Sequence, residues 1–296
     1  MQIGRGEPVV IRQVGVVGCG LMGSGIAEVC ARAGYEVVVR EVSRELLDGG
    51  LARIEASLAR ARDRGKIGED EARRAWGAIH GTTSMADLAV SDLIIEAVIE
   101  KMAEKQAVFR ELDVLCPAGT VFASNTSSLS ITEMAAATGR GDRVVGMHFF
   151  NPVPVMTLVE LVRGLQTSDQ TLETARTFAG LLGKTVVVAK DYPGFIVNLL
   201  LVPYLLDAVR ALELGVASRE DIDTAITLGL NHPMGPLTLL DFVGLDTTYY
   251  IAEAMYQEFR DSRYAPPPLL KQMVLAGRLG RKSGRGFYEY AGKTAS

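Results

Sequence analysis

A short apolar run followed at once by a glycine turn limits what the start of this chain can fold into. Val14-Gly15-Val16-Val17 is too short for a core helix and suits a buried parallel strand. Gly18-Cys19-Gly20-Leu21-Met22-Gly23 comes next. In such a turn Gly18 permits the tight reversal, Gly20 lets backbone approach a pyrophosphate, and Gly23 lets the next helix pack closely on the sheet. That helix is expected over about Leu21–Ala33, with Gly34 as its cap. Its first N–H groups, at Leu21 and Met22, face the phosphates. Tyr35 to Arg40 reads as a second strand ending at Glu41, about twenty residues past the glycines, where a carboxylate accepts ribose hydroxyl protons. These parts together point to a bound dinucleotide. Glu41 repels a 2′-phosphate and so favours NAD over NADP, although Arg40 beside it can accommodate that phosphate.

At 296 residues the chain exceeds one typical domain, so two are expected. A net charge of −4 argues against nucleic acid or an anionic membrane as the main partner. Cys19, Cys30 and Cys116 show no paired spacing, which suits reduced thiols in a cytoplasmic protein and gives neither a disulfide framework nor a metal site. Residues 1–12 lack the apolar core of a signal peptide and are expected to form a frayed extension. Asn198, Asp207, Arg210 and Glu213 interrupt the apolar run Phe195–Leu214 and argue against a membrane span.

Strands are expected at Val14–Val17, Glu36–Arg40, Leu93–Ala97, Val121–Ser124, Val144–Phe149, Thr157–Val162 and Thr185–Ala189, with helices between most of them. That alternation is the pattern of a Rossmann-type, doubly wound α/β sheet. Beyond the turn Asp191-Tyr192-Pro193-Gly194 the chain reads as helical up to a last strand at Phe287–Tyr290. Pro203 should bend its helix or be held there by packing. The expected domains are therefore 1–190, a dinucleotide-binding sheet, and 191–296, an all-helical domain.

Four segments carry candidate chemistry. Ser124-Asn125-Thr126-Ser127-Ser128 follows a strand, which places its hydroxyls at the carboxyl edge where open α/β sheets bind ligands. The alternative is that Ser128 or Ser130 merely caps the helix starting near Ile131. His148 ends the next strand on the same edge, and its chemistry suits acid–base work. His80 and His232 lie in turn or proline-rich contexts and are weaker candidates. Glu160 sits inside an apolar strand, where it is either an exposed edge position or a partner that holds a histidine ring. Asn198 is either a satisfied amide between helices or a ligand contact. Arg53, Ser57, Arg60 and Arg64 recur at helical spacing along one face; such a row is most often solvated.

Taken together, these residues resemble one family from end to end. Gly18–Gly23, SNTSSLSIT from Ser124, HFFNPVPVMTLVEL from His148, PGFIVN from Pro193, NHPMGPLTLLDFVGLD from Asn231 and GRKSGRGFYEY from Gly280 are similar to the L-3-hydroxyacyl-CoA dehydrogenases. In length and layout the chain is most similar to the bacterial 3-hydroxybutyryl-CoA dehydrogenases. The resemblance implies a Rossmann domain followed by a helical substrate-binding and dimerisation domain, hence a homodimer. It implies His148 as catalytic acid/base with Glu160 as its partner, and Ser127 and Asn198 as contacts to the substrate. Glu41, Glu100, Lys105, Ser127 and Lys282 would contact NAD, and Ser57, with Arg60 and Arg64 on its helix face, would meet an acyl-CoA. Arg64 departs from the family, whose members carry lysine nearby; an arginine still meets a phosphate but with different geometry. Two alternatives stay open: the same reaction on another acyl chain, such as 3-hydroxyadipyl-CoA, and a non-catalytic binding or structural relative.

Overall fold

The computed structural model describes residues 10–290, so the expected extension over 1–12 falls mostly outside the described residues. The chain divides into two compact units between Tyr192 and Pro193, at the Asp191–Gly194 turn.

Eight strands build the first unit: β1 Gln13–Val17, β2 Glu36–Arg40, β3 Ile79–Thr82, β4 Leu93–Glu96, β5 Val121–Ser124, β6 Val144–Phe149, β7 Leu158–Arg163 and β8 Thr185–Lys190. Its helices are α1 Leu21–Arg32, α2 Arg44–Asp63, α3 Glu69–Gly77, α4 Met102–Leu115, α5 Ile131–Ala135 and α6 Asp169–Leu181. The strands form one sheet in the order β3-β2-β1-β4-β5-β6-β7-β8. Strand order reverses between β1 and β4, which opens a crevice at their carboxyl ends. Val14, Val16, Val37, Val39, Leu93 and Ile95 are fully or almost fully buried, as continuous apolar runs covered on both faces should be.

Two features of the sheet depart from the sequence expectation. β3 was not among the expected strands, because Ile79-His80-Gly81-Thr82 has neither alternation nor a continuous apolar run. It forms by pairing parallel to β2 at the sheet edge, with Ile79 opposite Val37, and its middle residues are exposed. An edge strand covered on one side needs no strong local signal. Further along, β7 runs antiparallel to β6 while β8 runs parallel to β7. The last two strands are thus reversed against the rest of the sheet.

The second unit is helical: α7 Val197–Glu213, α8 Arg219–Gly229, α9 Pro236–Val243, α10 Leu245–Phe259 and α11 Pro268–Leu275. α7 continues through Pro203. Proline removes one N–H from the ladder there, and the buried side chains of Val202, Leu205, Leu206 and Val209 hold the helix in place.

The strand expected at Phe287–Tyr290 does not form. Residues 280–290 fold as a tight loop with isolated bridges Gly280–Arg285 and Arg285–Glu289. The reason is a buried carboxylate that takes the amides a neighbouring strand would have taken. Asp241, 1% exposed, accepts hydrogen bonds from Phe287 N at 2.9 Å, Tyr288 N at 2.8 Å and the Tyr290 hydroxyl at 2.9 Å. The glycines of this segment allow that approach, since a Cβ on Gly286 would stand 1.9 Å from Asp241 Oδ1.

Gly286→Ala should therefore lower stability by about 1–3 kcal/mol, the range for forced overpacking. Gly49→Ala should act in the opposite sense, because Gly49 lies inside α2 with nothing within 4 Å of an added Cβ. A gain of about 0.5–1 kcal/mol is expected there from helix propensity. Urea unfolding of both variants checks the pair; an unchanged midpoint for Gly286→Ala would remove the close-approach argument.

Candidate active site

The crevice at the strand reversal is built by the glycine turn. Gly18 has φ +95°, and a Cβ there would lie 2.7 Å from the carbonyl oxygen of Ala97 at the end of β4. A Cβ on Gly23 would lie 1.9 Å from the Gly18 carbonyl oxygen, so the helix can start this close to the strand only with glycine at both places. At Gly20 nothing lies within 4 Å of an added Cβ, which leaves that face of the turn open to a ligand. α1 begins without a side-chain cap, so the N–H groups of Leu21 and Met22 are offered to that face. Gly34, at φ +93°, ends the helix with Gly34 N bonding Ala31 O and Tyr35 N bonding Cys30 O, a Schellman pair.

Gly18, Gly20, Glu41, Ala97, Val98 and Ile99 are among the residues that line a cleft of about 350 Å³ at this crevice. Glu41 follows β2 and turns its carboxylate back to the glycine turn: Oε2 accepts from Cys19 N at 2.8 Å and Oε1 from Val42 N at 2.7 Å. Each oxygen keeps a second acceptor site, so the group can still take ribose hydroxyls. Arg40 lines the same cleft. The cleft thus carries the features that a dinucleotide requires.

At the ends of β4 and β5 lies a buried charge cluster. Glu96 is fully buried; Oε1 accepts from Lys105 Nζ and Val98 N at 2.8 and 2.7 Å, and Oε2 accepts from Ser124 Oγ at 2.6 Å. Lys105, 1% exposed, also reaches Glu100 Oε2 at 3.2 Å. Glu100 in turn accepts from the Thr126 hydroxyl and from Ser127 N, the latter at 2.8 Å. The Lys105 ammonium is thus enclosed and paired with both Glu96 and Glu100. The cluster fixes where the Ser124–Ser128 loop starts and places Ser127 at the sheet edge. Capping falls to Ser130, whose hydroxyl accepts from Glu133 N at 3.2 Å.

Two strands on, the reversed pairing sets His148 of β6 directly opposite Glu160 of β7. Nδ1 of the ring lies 2.7 Å from Glu160 Oε2, with His148 5% exposed and Glu160 fully buried. The Phe150 ring packs on the imidazole at 4.5 Å between centroids. Asn125 accepts from Phe149 N at 2.9 Å and ties the end of β6 to the serine loop. The first unit therefore brings together His148, Glu160, Ser127 and the cofactor crevice along one sheet edge.

The other candidates lie on other elements. Ser57 and Arg60, on α2, line a smaller cleft with the Asn151–Pro154 loop. Arg64 is the C-cap residue of α2, exposed and beyond that lining. Asn198 is buried in the first turn of α7, in the second unit. Lys282, also in the second unit, pairs with Asp246 at 2.6 Å. His80 lies on β3, in an exposed contact with Glu36 at 3.3 Å.

Glu96, Asn125 and Asp191 each position part of the site, although Glu96 was not among the candidates, Asn125 stood out only as part of the serine segment and Asp191 only as part of a turn. Glu96 carried the same signal as Glu160, a carboxylate in an apolar strand. Asp191 gave none as a ligand of backbone, yet it accepts from Ser130 Oγ, Ile131 N and Thr132 N at 2.7–2.9 Å. Among the described residues, no group of three or more His, Cys, Asp or Glu side chains is arranged to hold a metal ion, and no helix is long and apolar enough to cross a membrane.

Comparison with known proteins places both units in one family. Residues 13–192 match the NAD binding domain of 3-hydroxyacyl-CoA dehydrogenase, and residues 194–290 match its C-terminal domain. The chain is 55% identical over 282 residues to a 3-hydroxybutyryl-CoA dehydrogenase of Mycobacterium tuberculosis, covering 95% of this chain and 99% of that one. It is 44% identical to the human mitochondrial hydroxyacyl-coenzyme A dehydrogenase, over 96% of this chain and 93% of the relative. The crystal structure of (S)-3-hydroxybutyryl-CoA dehydrogenase PaaH1 from Ralstonia eutropha superposes with a TM-score of 0.91 at 46% identity, covering 96% of this chain and all of that one. The chain belongs to the 3-hydroxyacyl-CoA dehydrogenase family.

Proposed function

We propose that this protein interconverts (S)-3-hydroxybutyryl-CoA and acetoacetyl-CoA, with His148 as general acid/base. The observation that carries the chemistry is the 2.7 Å contact of His148 with Glu160 at the ligand edge of an NAD-binding sheet. Support for the acyl group comes from relatives named for 3-hydroxybutyryl-CoA at 46–55% identity.

The glycine turn and Glu41 would hold NAD in the crevice, and the nicotinamide would supply the hydride chemistry. His148 removes the hydroxyl proton in oxidation and returns it in reduction, a contribution of about 10²–10⁴-fold. With Nδ1 engaged by Glu160, this transfer is assigned to Nε2. Glu160 keeps the ring from turning and offers an opposite charge to the imidazolium that forms. Ser127, whose N–H is held by Glu100, donates its hydroxyl to the oxygen whose charge changes. Glu41 takes the ribose hydroxyls, and Lys105 acts on the cofactor side by holding Glu100. The roles of Asn198 at the substrate and Lys282 at the cofactor rest on the resemblance alone, as does that of Arg64. Ser57 and Arg60 meet the CoA arm.

Residues 1–190 are assigned to cofactor binding and residues 191–296 to substrate binding and dimerisation. Exposed large apolar side chains of the second unit, such as Leu200, Leu228, Phe242 and Tyr250, support a homodimer. A cytoplasmic setting agrees with Cys19, Cys30 and Cys116 as buried, unbridged thiols, whose burial pushes Cys19 and Cys116 up to about 11.

Steady-state rates across a series of 3-ketoacyl-CoA esters, with NADH and NADPH in parallel, test the reading as a whole. The highest kcat/KM should fall on acetoacetyl-CoA with NADH; a maximum on a longer or carboxylated chain moves the substrate assignment, and no turnover on any ester removes it. His148→Gln should lower kcat by about 10²–10⁴-fold and leave the NADH Kd within about twofold, because proton transfer belongs to the transition state. A kcat near wild type sinks the acid/base assignment. For the cofactor, Glu41→Ala should weaken NADH binding by about tenfold and narrow the preference over NADPH, as two ribose hydrogen bonds and the repulsion of a 2′-phosphate are lost. If the unaltered protein prefers NADPH, Arg40 sets the choice. Sedimentation velocity should give the mass of two chains at micromolar concentration; a single-chain mass would end the dimer proposal.

A further inference from the structure

Glu28 lies in the last half of α1, the helix opened by the glycine turn, with its side chain 2% exposed. None of the roles above uses it. Its Oε1 atom is buried without a hydrogen-bond partner, and the nearest cation, Arg32 Nη1, stands 3.8 Å away, beyond hydrogen-bond reach. Ser57, Arg32, Arg60 and Lys184 all favour its charged form. Burial still outweighs them and holds the group above the usual carboxylate range. A buried acceptor left unmade is unfavourable, and native structures keep few of them without a reason. Glu28 is also part of the lining of a cleft of about 110 Å³ between α1, α2 and the Asn151–Pro154 loop. Arg53, Ser57 and Arg60 line the same cleft, so it offers cations for phosphate beside one acceptor that phosphate cannot satisfy.

We propose that Glu28 is a specificity-determining contact for the CoA arm, its Oε1 accepting a hydrogen bond from an N–H of the ligand, either the adenine amino group or a pantetheine amide. This rests on the acyl-CoA reading of Ser57 and Arg60. The orphaned acceptor and the charge sorting in the cleft have the same cause. Phosphates are drawn to the two arginines, and an N–H donor is drawn to the carboxyl that repels those phosphates. A thioester without such a donor gains nothing from Glu28.

The test uses Glu28→Met, which removes the acceptor at similar length, and Glu28→Gln, which keeps a carbonyl oxygen. KM is measured for acetoacetyl-CoA, for its 1,N6-etheno derivative, whose adenine amino group is blocked, and for acetoacetyl-pantetheine. Glu28→Met should raise KM for acetoacetyl-CoA by about tenfold, the loss expected for one hydrogen bond. Glu28→Gln should recover most of that loss. If the loss is absent on acetoacetyl-pantetheine and the etheno derivative reproduces it in the unaltered protein, the donor is adenine; if it persists on the pantetheine thioester, the donor is the amide. Unchanged KM values in Glu28→Met, or a Gln variant as impaired as the Met variant, overturn the proposal and leave Glu28 as helix packing. Calorimetric titration with CoA itself separates this from the parent reading. An unaltered protein that binds CoA but reduces no ketoacyl thioester fails the reaction assigned above, while a tenfold weaker CoA Kd in Glu28→Met still upholds Glu28. Equal CoA affinity in both proteins overturns it.

Discussion

Glu160 is fully buried on a strand paired on both sides, and a carboxylate at that depth requires a partner. Removing one member of a buried charged pair typically destabilises by about 3–5 kcal/mol, because the other is left uncompensated. His148 meets that requirement at 2.7 Å, and it can do so only because β7 runs antiparallel to β6 and puts the two residues in register. A parallel β7 would need a long crossover connection, which the short Phe150–Thr157 link does not supply. The reversed strand thus binds fold to site: the ring is oriented and its strand end aligned by one pairing.

The same logic recurs at the neighbouring strand ends. Glu96 and Lys105 are buried as a pair, and Glu100 joins them from a half-exposed position. Such a cluster is weak grounds for claiming extra stability, since well-packed apolar residues often do as well. Its geometric consequence is firmer. Hydrogen bonds from Ser124, Thr126 and Ser127 all end on its carboxylates, so the serine loop is fixed relative to the glycine turn across the crevice. In the second unit Asp241 and Asp223 play a comparable part. Asp223 accepts from Leu237 N, the Thr238 hydroxyl and the Tyr288 hydroxyl, tying α8 to α9 and to the closing loop.

Much of this was legible in the residues. The glycine turn, its strand and the acidic residue after β2 follow from local backbone demands, and those demands are the same in any context. Seven of the eight strands stood out because buried parallel strands are continuous apolar runs. β3 was not legible, since Ile79-His80-Gly81-Thr82 becomes a strand only by pairing with β2. Phe287–Tyr290 misled in the opposite sense: its aromatic composition suits a strand, and a carboxylate from α9 takes its amides instead.

Sequence by itself determined that a dinucleotide crevice lies after β1, that helices succeed the sheet near residue 191, and which side chains are able to move a proton. Each of these depends on the identity of a residue and its near neighbours: a glycine at φ +95°, a carboxylate after a strand, an imidazole at a strand end. Only the tertiary structure decided that Glu160 is buried against His148 rather than exposed at an edge, that Lys105 is enclosed against Glu96 and Glu100, and that Glu28 is left with an unmet acceptor. Those facts depend on strand direction and burial depth. Both are set by contacts between residues distant in the chain, to which local spacing is blind.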